Sequence, residues 1–359
     1  MVNRVSQLEQ RSPWWWKFLA GFVLGVCLAF PSIGHTQPAI PDSRSLLPES
    51  WDDNLRFAID LSSRSIYSSV SNDWHQVDFL GTDLHKVFTG DSGDIGTLTL
   101  QGYLTRIEDE EIRPGFFDGE WEYVYRIFNF NYAVLPRGLL NFKVGHFEIP
   151  FGLEHSINTN GTLRDYTHGR NLGVKADWGV SINGDTGGAE YEISVSRGSG
   201  NSWETDGDPY IVAGRIATPR YRNLILGFGG MSGDVYVHNS GGRTIERHRI
   251  GTDLQWYFDQ YGLLAEISIG EDDGQHAGTG LLEFNRVAAS GLWTAYIQWV
   301  YSSLDPDDRS RQEASTLYLG AKWDVNRRWD LSVQVSHDLD SYDTKPEKNL
   351  YVAQARYRF

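Results

Sequence analysis

The chain has 359 residues, a formal net charge of −15 and one cysteine; 22% of residues are charged and 13% aromatic. Its acidity excludes a nucleic-acid binder, which needs basic surface. One cysteine excludes a disulfide scaffold or a thiolate metal cluster.

At the N-terminus, residues 1–39 predict a secretory signal. Arg4, Arg11 and Lys17 make a basic start, Phe18 to Phe30 an apolar core, and Pro31 breaks it. That core suits a cleaved segment, because a spanning helix needs roughly 20 residues. Cys27 lies inside it, preceded by Val26 where a lipoprotein signal wants a small residue, so no lipid anchor is expected. Residues 40–53 read as a short periplasmic lead-in. Beyond Pro31 no apolar run approaches the roughly 18 residues of a membrane helix.

From residue 54 onward, polar and apolar residues alternate at period two, the mark of strands. Sixteen are predicted: 54–67, 76–89, 95–107, 120–135, 139–152, 172–183, 189–198, 210–218, 223–234, 245–258, 262–270, 280–289, 292–304, 313–325, 328–339 and 349–359. Val174, Ala176, Trp178, Val180 and Ile182 oppose Lys175, Asp177 and Ser181; Ile250, Leu254, Trp256 and Phe258 oppose Arg249, Asp253 and Gln255. The second and twelfth strands alternate poorly. A Lys or Arg facing lipid at the midplane costs about 2–4 kcal/mol. The charged parity is therefore assigned to a wet lumen and the apolar parity to lipid.

The connections alternate short and long. Short turns begin at Gly90, Pro136, Gly184, Pro219, Asp259, Ser290 and Asn326. Long ones run over 68–75, 108–119, 153–170, 199–209, 235–244, 271–279, 305–312 and 340–348. An even strand count with segregated loop lengths predicts an all-β fold: a transmembrane antiparallel β-barrel over 54–359, in the bacterial outer membrane. The closing strand, Asn349 to Phe359, puts Tyr351, Ala353, Ala355, Tyr357 and Phe359 on one face. Tyr357 and the terminal Phe359 read as the signal for the barrel-assembly machinery.

A barrel of this size leaves an aqueous channel, so function depends on what narrows it. The longest connection, Leu153 to Arg170, is the third on its side. Folded inward, it would place Glu154, His155, Arg164, Asp165, His168 and Arg170 at a constriction, where a ring of charge sets selectivity. Basic candidates on the lumen wall are Arg56, Lys143, Lys175, Arg215, Arg249, Lys322, Arg356 and Arg358. Acids share those faces: Asp60, Asp177, Glu192, Asp253, Glu266, Glu283, Asp324 and Asp330. Pairs between the two sets would be ordinary wall structure. No Gly-x-Ser-x-Gly or His-Glu-x-x-His spacing occurs, so no enzyme, cofactor or metal is expected.

Three stretches, KVGHFEIPFGLE (143–154), RNLGVKADWGVSINGD (170–185) and AEYEISVSRGSG (189–200), together resemble the phosphate-selective porin O and P family. The resemblance implies a trimeric sixteen-stranded channel for small hydrophilic solutes, with lumen arginines that draw phosphate through. Lipid and lipopolysaccharide would surround it. The connection 153–170 departs from that pattern, with Arg164 and Arg170 as its only strong bases. The alternative is a barrel with a closed or plugged lumen that serves a structural or surface-binding role.

Overall fold

The structure, a computed structural model, describes residues 54–91, 93–108, 119–237, 243–306, 310–341 and 348–359. The predicted signal (1–39) and lead-in (40–53) lie outside the described residues. Sixteen antiparallel strands close into one barrel among them. In order they are β1 (Leu55–Ser68), β2 (Asp73–Gly90), β3 (Gly93–Ile107), β4 (Trp121–Leu135), β5 (Leu140–Glu148), β6 (Ala176–Asp185), β7 (Glu190–Ser196) and β8 (Tyr210–Ala217). The second half has β9 (Leu224–Val237), β10 (Arg243–Phe258), β11 (Tyr261–Asp272), β12 (Gln275–Val287), β13 (Trp293–Asp305), β14 (Gln312–Asp324), β15 (Trp329–Asp340) and β16 (Asn349–Arg358). Every strand pairs with its neighbours in sequence, and β1 closes on β16, with Ile66 opposite Val352 and Ser62 opposite Arg356. The terminal residue completes the seam: Phe359 N–H donates to Ile59 O (3.1 Å), and Ile59 N–H donates back (2.7 Å).

The two faces separate by parity, because successive side chains of a strand point to opposite sides. Outside, Ile193 is 60% and Leu319 62% exposed; inside, Ile211 is 0% exposed. Aromatic rings cluster near the rims, among them Trp293 stacked on Trp323 at 5.1 Å and Tyr357 against Trp329 at 4.8 Å.

Some expectations need correction. The rim of long connections is less regular than predicted. β11 and β12 run on to Asp272 and from Gln275, joined only by Asp273–Gly274, both at positive φ (50° and 79°). That is the two-residue Asp-Gly hairpin whose twist matches the strands it joins. The β1–β2 connection likewise shrinks to 69–72. The opposite change occurs at the third connection. β5 stops at Glu148 and β6 starts only at Ala176, so the connection spans 149–175. Pro150 lacks a ladder donor, and Gly152 and Gly173 sit at φ 63° and 79°, a backbone that other residues rarely adopt. Lys175 and Val174, predicted within a strand, thus belong to the connection.

Candidate functional site

The 149–175 connection folds inside the barrel, and its side chains explain why. Ile149 and Phe151 are fully buried with Ile211, Ala213, Met231 and Val235 of the β8–β9 wall. Phe151 lies over a bed of glycines: a Cβ added to Gly251 would sit 3.0 Å from its ring, and one on Gly229 3.5 Å away. Leu153 and Tyr166 pack on Leu264, Leu281 and Val300 of β11–β13. Wall positions expected to be wet thus form an apolar core, because the loop covers them.

Glu266 on β11 is the polar anchor. Its carboxylate accepts Leu153 N–H (2.7 Å), Thr167 Oγ–H (2.5 Å) and Asn171 Nδ2–H (2.9 Å). Asn171, in the short helix α1 (His168–Leu172), also accepts from Ser268 (2.5 Å) and Thr279 (2.9 Å) through its Oδ1. The loop then reaches around the barrel. Arg64 on β1 donates to Thr162 O (3.4 Å), Arg356 on β16 to Asn160 O (2.9 Å), and Arg126 on β4 to Thr159 (3.3 Å). On β13 and β14, Gln298 accepts Asp165 N–H (3.0 Å) and Tyr318 donates to the Asp165 carboxylate (2.7 Å). One segment is therefore tied to opposite walls.

The six predicted loop residues are all placed here. Glu154 pairs with Lys175 (2.6 Å), and Arg164 with the fully buried Glu283 (3.1 Å) while lying 4.7 Å over the Tyr296 ring. Asp165 pairs with Arg170 (2.7 Å). His155 Nε2 is 3.5 Å from Glu192, and His168 Nε2–H donates to Lys175 O (3.1 Å). Burial, then the charges of Lys143, Arg220 and Arg215, hold His155 well below the usual histidine range. Burial also lowers His168, against the pull of Glu154.

The wall cations do not form a free ladder. Lys143 meets Glu192 (2.7 Å), Arg215 meets Asp253 (2.6 Å), Arg249 meets Asp272 (2.6 Å), and Lys322 meets Asp324 (2.7 Å). Arg356 is clamped by Asp60, with Nε at 2.8 Å, and Arg358 by Asp83. Arg56 is exposed near the short-turn rim. Beside the loop is a cavity of about 200 Å³ lined by Asn160, Arg164, Tyr296, Lys322, Ser332 and Arg356. No cluster of His, Cys, Asp and Glu that could hold a metal ion occurs among the described residues.

Several of these residues escaped the sequence reading. Arg126 faces inward because of a bulge opposite Gln101 and Gly102, which shifts the parity of β4 with no local signal. Asn171, Gln298 and Tyr318 are neutral, so no charge marks them in the sequence.

No protein-family model matches the chain, and no curated protein matches it in sequence. Among the solved structures similar to it are porins and other outer-membrane proteins. The anion-selective porin from Comamonas acidovorans is 12% identical with a TM-score of 0.59, over 85% of this chain and 99% of that one. OmpF of Salmonella typhi, in complex with daunomycin, is 10% identical with a TM-score of 0.62, over 85% and 97%. The trimer form of OmpT, an outer-membrane protein of Vibrio cholerae, is 10% identical with a TM-score of 0.60, over 85% and 99%. The likeness is one of fold, to porin barrels at large.

Proposed function

We propose that the chain is an outer-membrane porin: a passive diffusion channel for small hydrophilic solutes, narrowed by residues 149–175. The observation that carries this reading is the loop tied by hydrogen bonds to β1, β4, β13, β14 and β16 at once. A sixteen-strand barrel is otherwise too wide for its wall side chains to fill. The exposed apolar exterior supports a bilayer around it, since a closed barrel satisfies its backbone without water. Residues 1–39 act in this reading as an export signal. Tyr357 and Phe359 serve as the handle for assembly machinery, the long-loop rim faces lipopolysaccharide, and the channel is a homotrimer. No catalytic residue or cofactor is proposed.

Solute charge is the finer question. Anions such as phosphate are the proposed preference, resting on Arg56, Lys322 and Arg358, which stay partly open to solvent. The preference is weak, because buried carboxylates neutralise the other cations. A second reading has its own support. The lumen holds two apolar clusters made jointly by loop and wall, and a third on the wall itself at Ile66, Val77 and Ile107. A lumen closed to ions, in a barrel with a surface role, would be built in the same way.

Single-channel recording in a planar bilayer under a KCl gradient separates the readings. Discrete steps with a slightly anion-selective reversal potential support the porin, and block by added phosphate supports a phosphate preference. A folded barrel that gives no steps would overturn the channel in favour of the closed form.

A further inference from the structure

Arg126 sits at an irregular point of the wall. In the ladder between β3 and β4, Ile127 stands opposite Gln101 and Tyr125 opposite Gly102, so Arg126 is the extra residue of a bulge. The ladder between β4 and β5 leaves it out as well, since that pairing starts at Phe128 and His146. The Arg126 carbonyl is taken instead by a side chain: it accepts Nδ1–H of His146 at 3.0 Å.

His146 belongs to the outer face. It shares parity with Phe142 and Val144, which are 42% and 46% exposed, yet it is fully buried. Phe128 and Trp178 flank it across the two ladders. The rings of Trp178 and Tyr125 lie 5.3 and 6.5 Å from its own. A phenyl ring would fill that place as well and would need no hydrogen-bond partner. What histidine adds is the donor that the bulge carbonyl requires, because a buried carbonyl left unpaired is costly.

On the inner side Arg126 reaches the loop. Its guanidinium donates to Glu148 at the end of β5 (3.1 Å) and to Thr159 (3.3 Å). Thr159 also accepts from Lys175 (2.6 Å), the partner of Glu154. The bulge decides that Arg126 points inward. Moved along by one residue, it would send that side chain to the outer face.

We propose that His146 is a positioning residue for the pore constriction. By holding the Arg126 carbonyl it pins the bulge, and with it the guanidinium that ties residues 149–175 to β4. A residue on the outer side of the wall thus sets how firmly the loop stays docked in the lumen. The role rests on the reading of that loop as the constriction of a diffusion channel.

The test uses the full chain refolded in lipid, in a Cys27→Ser, Thr162→Cys background, with maleimide labelling as the readout. His146→Phe keeps a ring and loses the donor; labelling is expected to speed up ~10-fold, about what one lost hydrogen bond of this kind amounts to. His146→Asn, whose amide can reach the same carbonyl, is expected to restore most of the parent rate. Arg126→Met is expected to label at least as fast as His146→Phe. The double variant should be no faster than Arg126→Met alone, since both act through one contact. A folded His146→Phe barrel labelled at the parent rate, His146→Asn as fast as His146→Phe, or effects of the two substitutions that multiply would overturn the proposal. Nitrogen NMR of the parent barrel reads the contact without any variant at His146. A ring protonated on Nδ1 is expected, and one protonated only on Nε2 would overturn the proposal. Single-channel recording keeps the two readings apart. A barrel that passes no ions but shows this labelling pattern would sink the channel and leave the positioning role standing; ion steps without that pattern would do the reverse.

Discussion

Replacing Glu266 with Ala is the sharpest perturbation of the loop, because one carboxylate holds three of its donors. Those donors, on Leu153, Thr167 and Asn171, lie 2.5–2.9 Å from it in a buried setting. A hydrogen bond contributes about 1 kcal/mol to a neutral acceptor and about 1.5–3 kcal/mol to a charged one, so three come to about 4 kcal/mol. At 1.4 kcal/mol per factor of ten, undocked excursions should become ~10³-fold more frequent. The docked form persists, because Phe151 and Leu153 remain buried, and full burial of such a side chain contributes roughly 1.5–3 kcal/mol. The barrel ladder is untouched, so heat-modifiability should not change. Labelling of a cysteine placed at Thr162, again without Cys27, reads the excursions directly, and channel noise reads them independently. Glu266→Gln keeps one acceptor oxygen and should fall between. A folded Glu266→Ala barrel whose labelling rate stays within about threefold of the parent would refute this account of the anchor.

Other predictions follow from the same geometry. Arg164→Ala strips the cation from the fully buried Glu283 and should cost about 3–5 kcal/mol in denaturant stability, with partial rescue by adding Glu283→Gln. Both loop histidines are held below their ordinary pKa, so as pH falls below about 6.5 the released loop takes up protons before the docked one does. Docking is then complete above that pH and weakens below it; loop labelling should speed up in acid, and His155→Asn with His168→Asn should flatten the profile. Arg358→Ala leaves Asp83 without its cation near the short-turn rim and should move the reversal potential toward cations, whereas a neutral pair, Arg215→Met with Asp253→Leu, should leave it nearly unchanged. Removing Phe359 deletes the two seam hydrogen bonds with Ile59 and should lower the yield of folded barrel.

The strands were legible because parity is a local property. In β10, Ile250, Leu254 and Trp256 take one face and Arg249, Asp253 and Gln255 the other, and the structure separates them in the same way. β2 and β12 form despite weak alternation, since their neighbours supply the ladder on both sides. Connection lengths were less legible. Acidic residues such as Glu271 and Asp272 look like loop but continue β11 past the apolar band as a two-stranded hairpin. The Asp-Gly pair at 273–274 was the available signal for it.

The lumen is where local reading fails, and the reason is physical. Face assignment treats every inward position as wet, yet Leu264, Leu281 and Val300 point inward and are at most 3% exposed. They are apolar because Leu153 and Tyr166, far away in sequence, come to rest on them. The same covering drives the charges into pairs, since a buried cation without a carboxylate would be costly. Residues 149–175 thus fill space, and through Arg164 they supply the cation that the buried Glu283 requires. If the barrel conducts as proposed, its selectivity rests chiefly on partly open cations such as Arg56, Lys322 and Arg358 rather than on the buried pairs. A reversal potential that responds to Arg215 or Arg249 more than to these three would show that the buried pairs open to the solute.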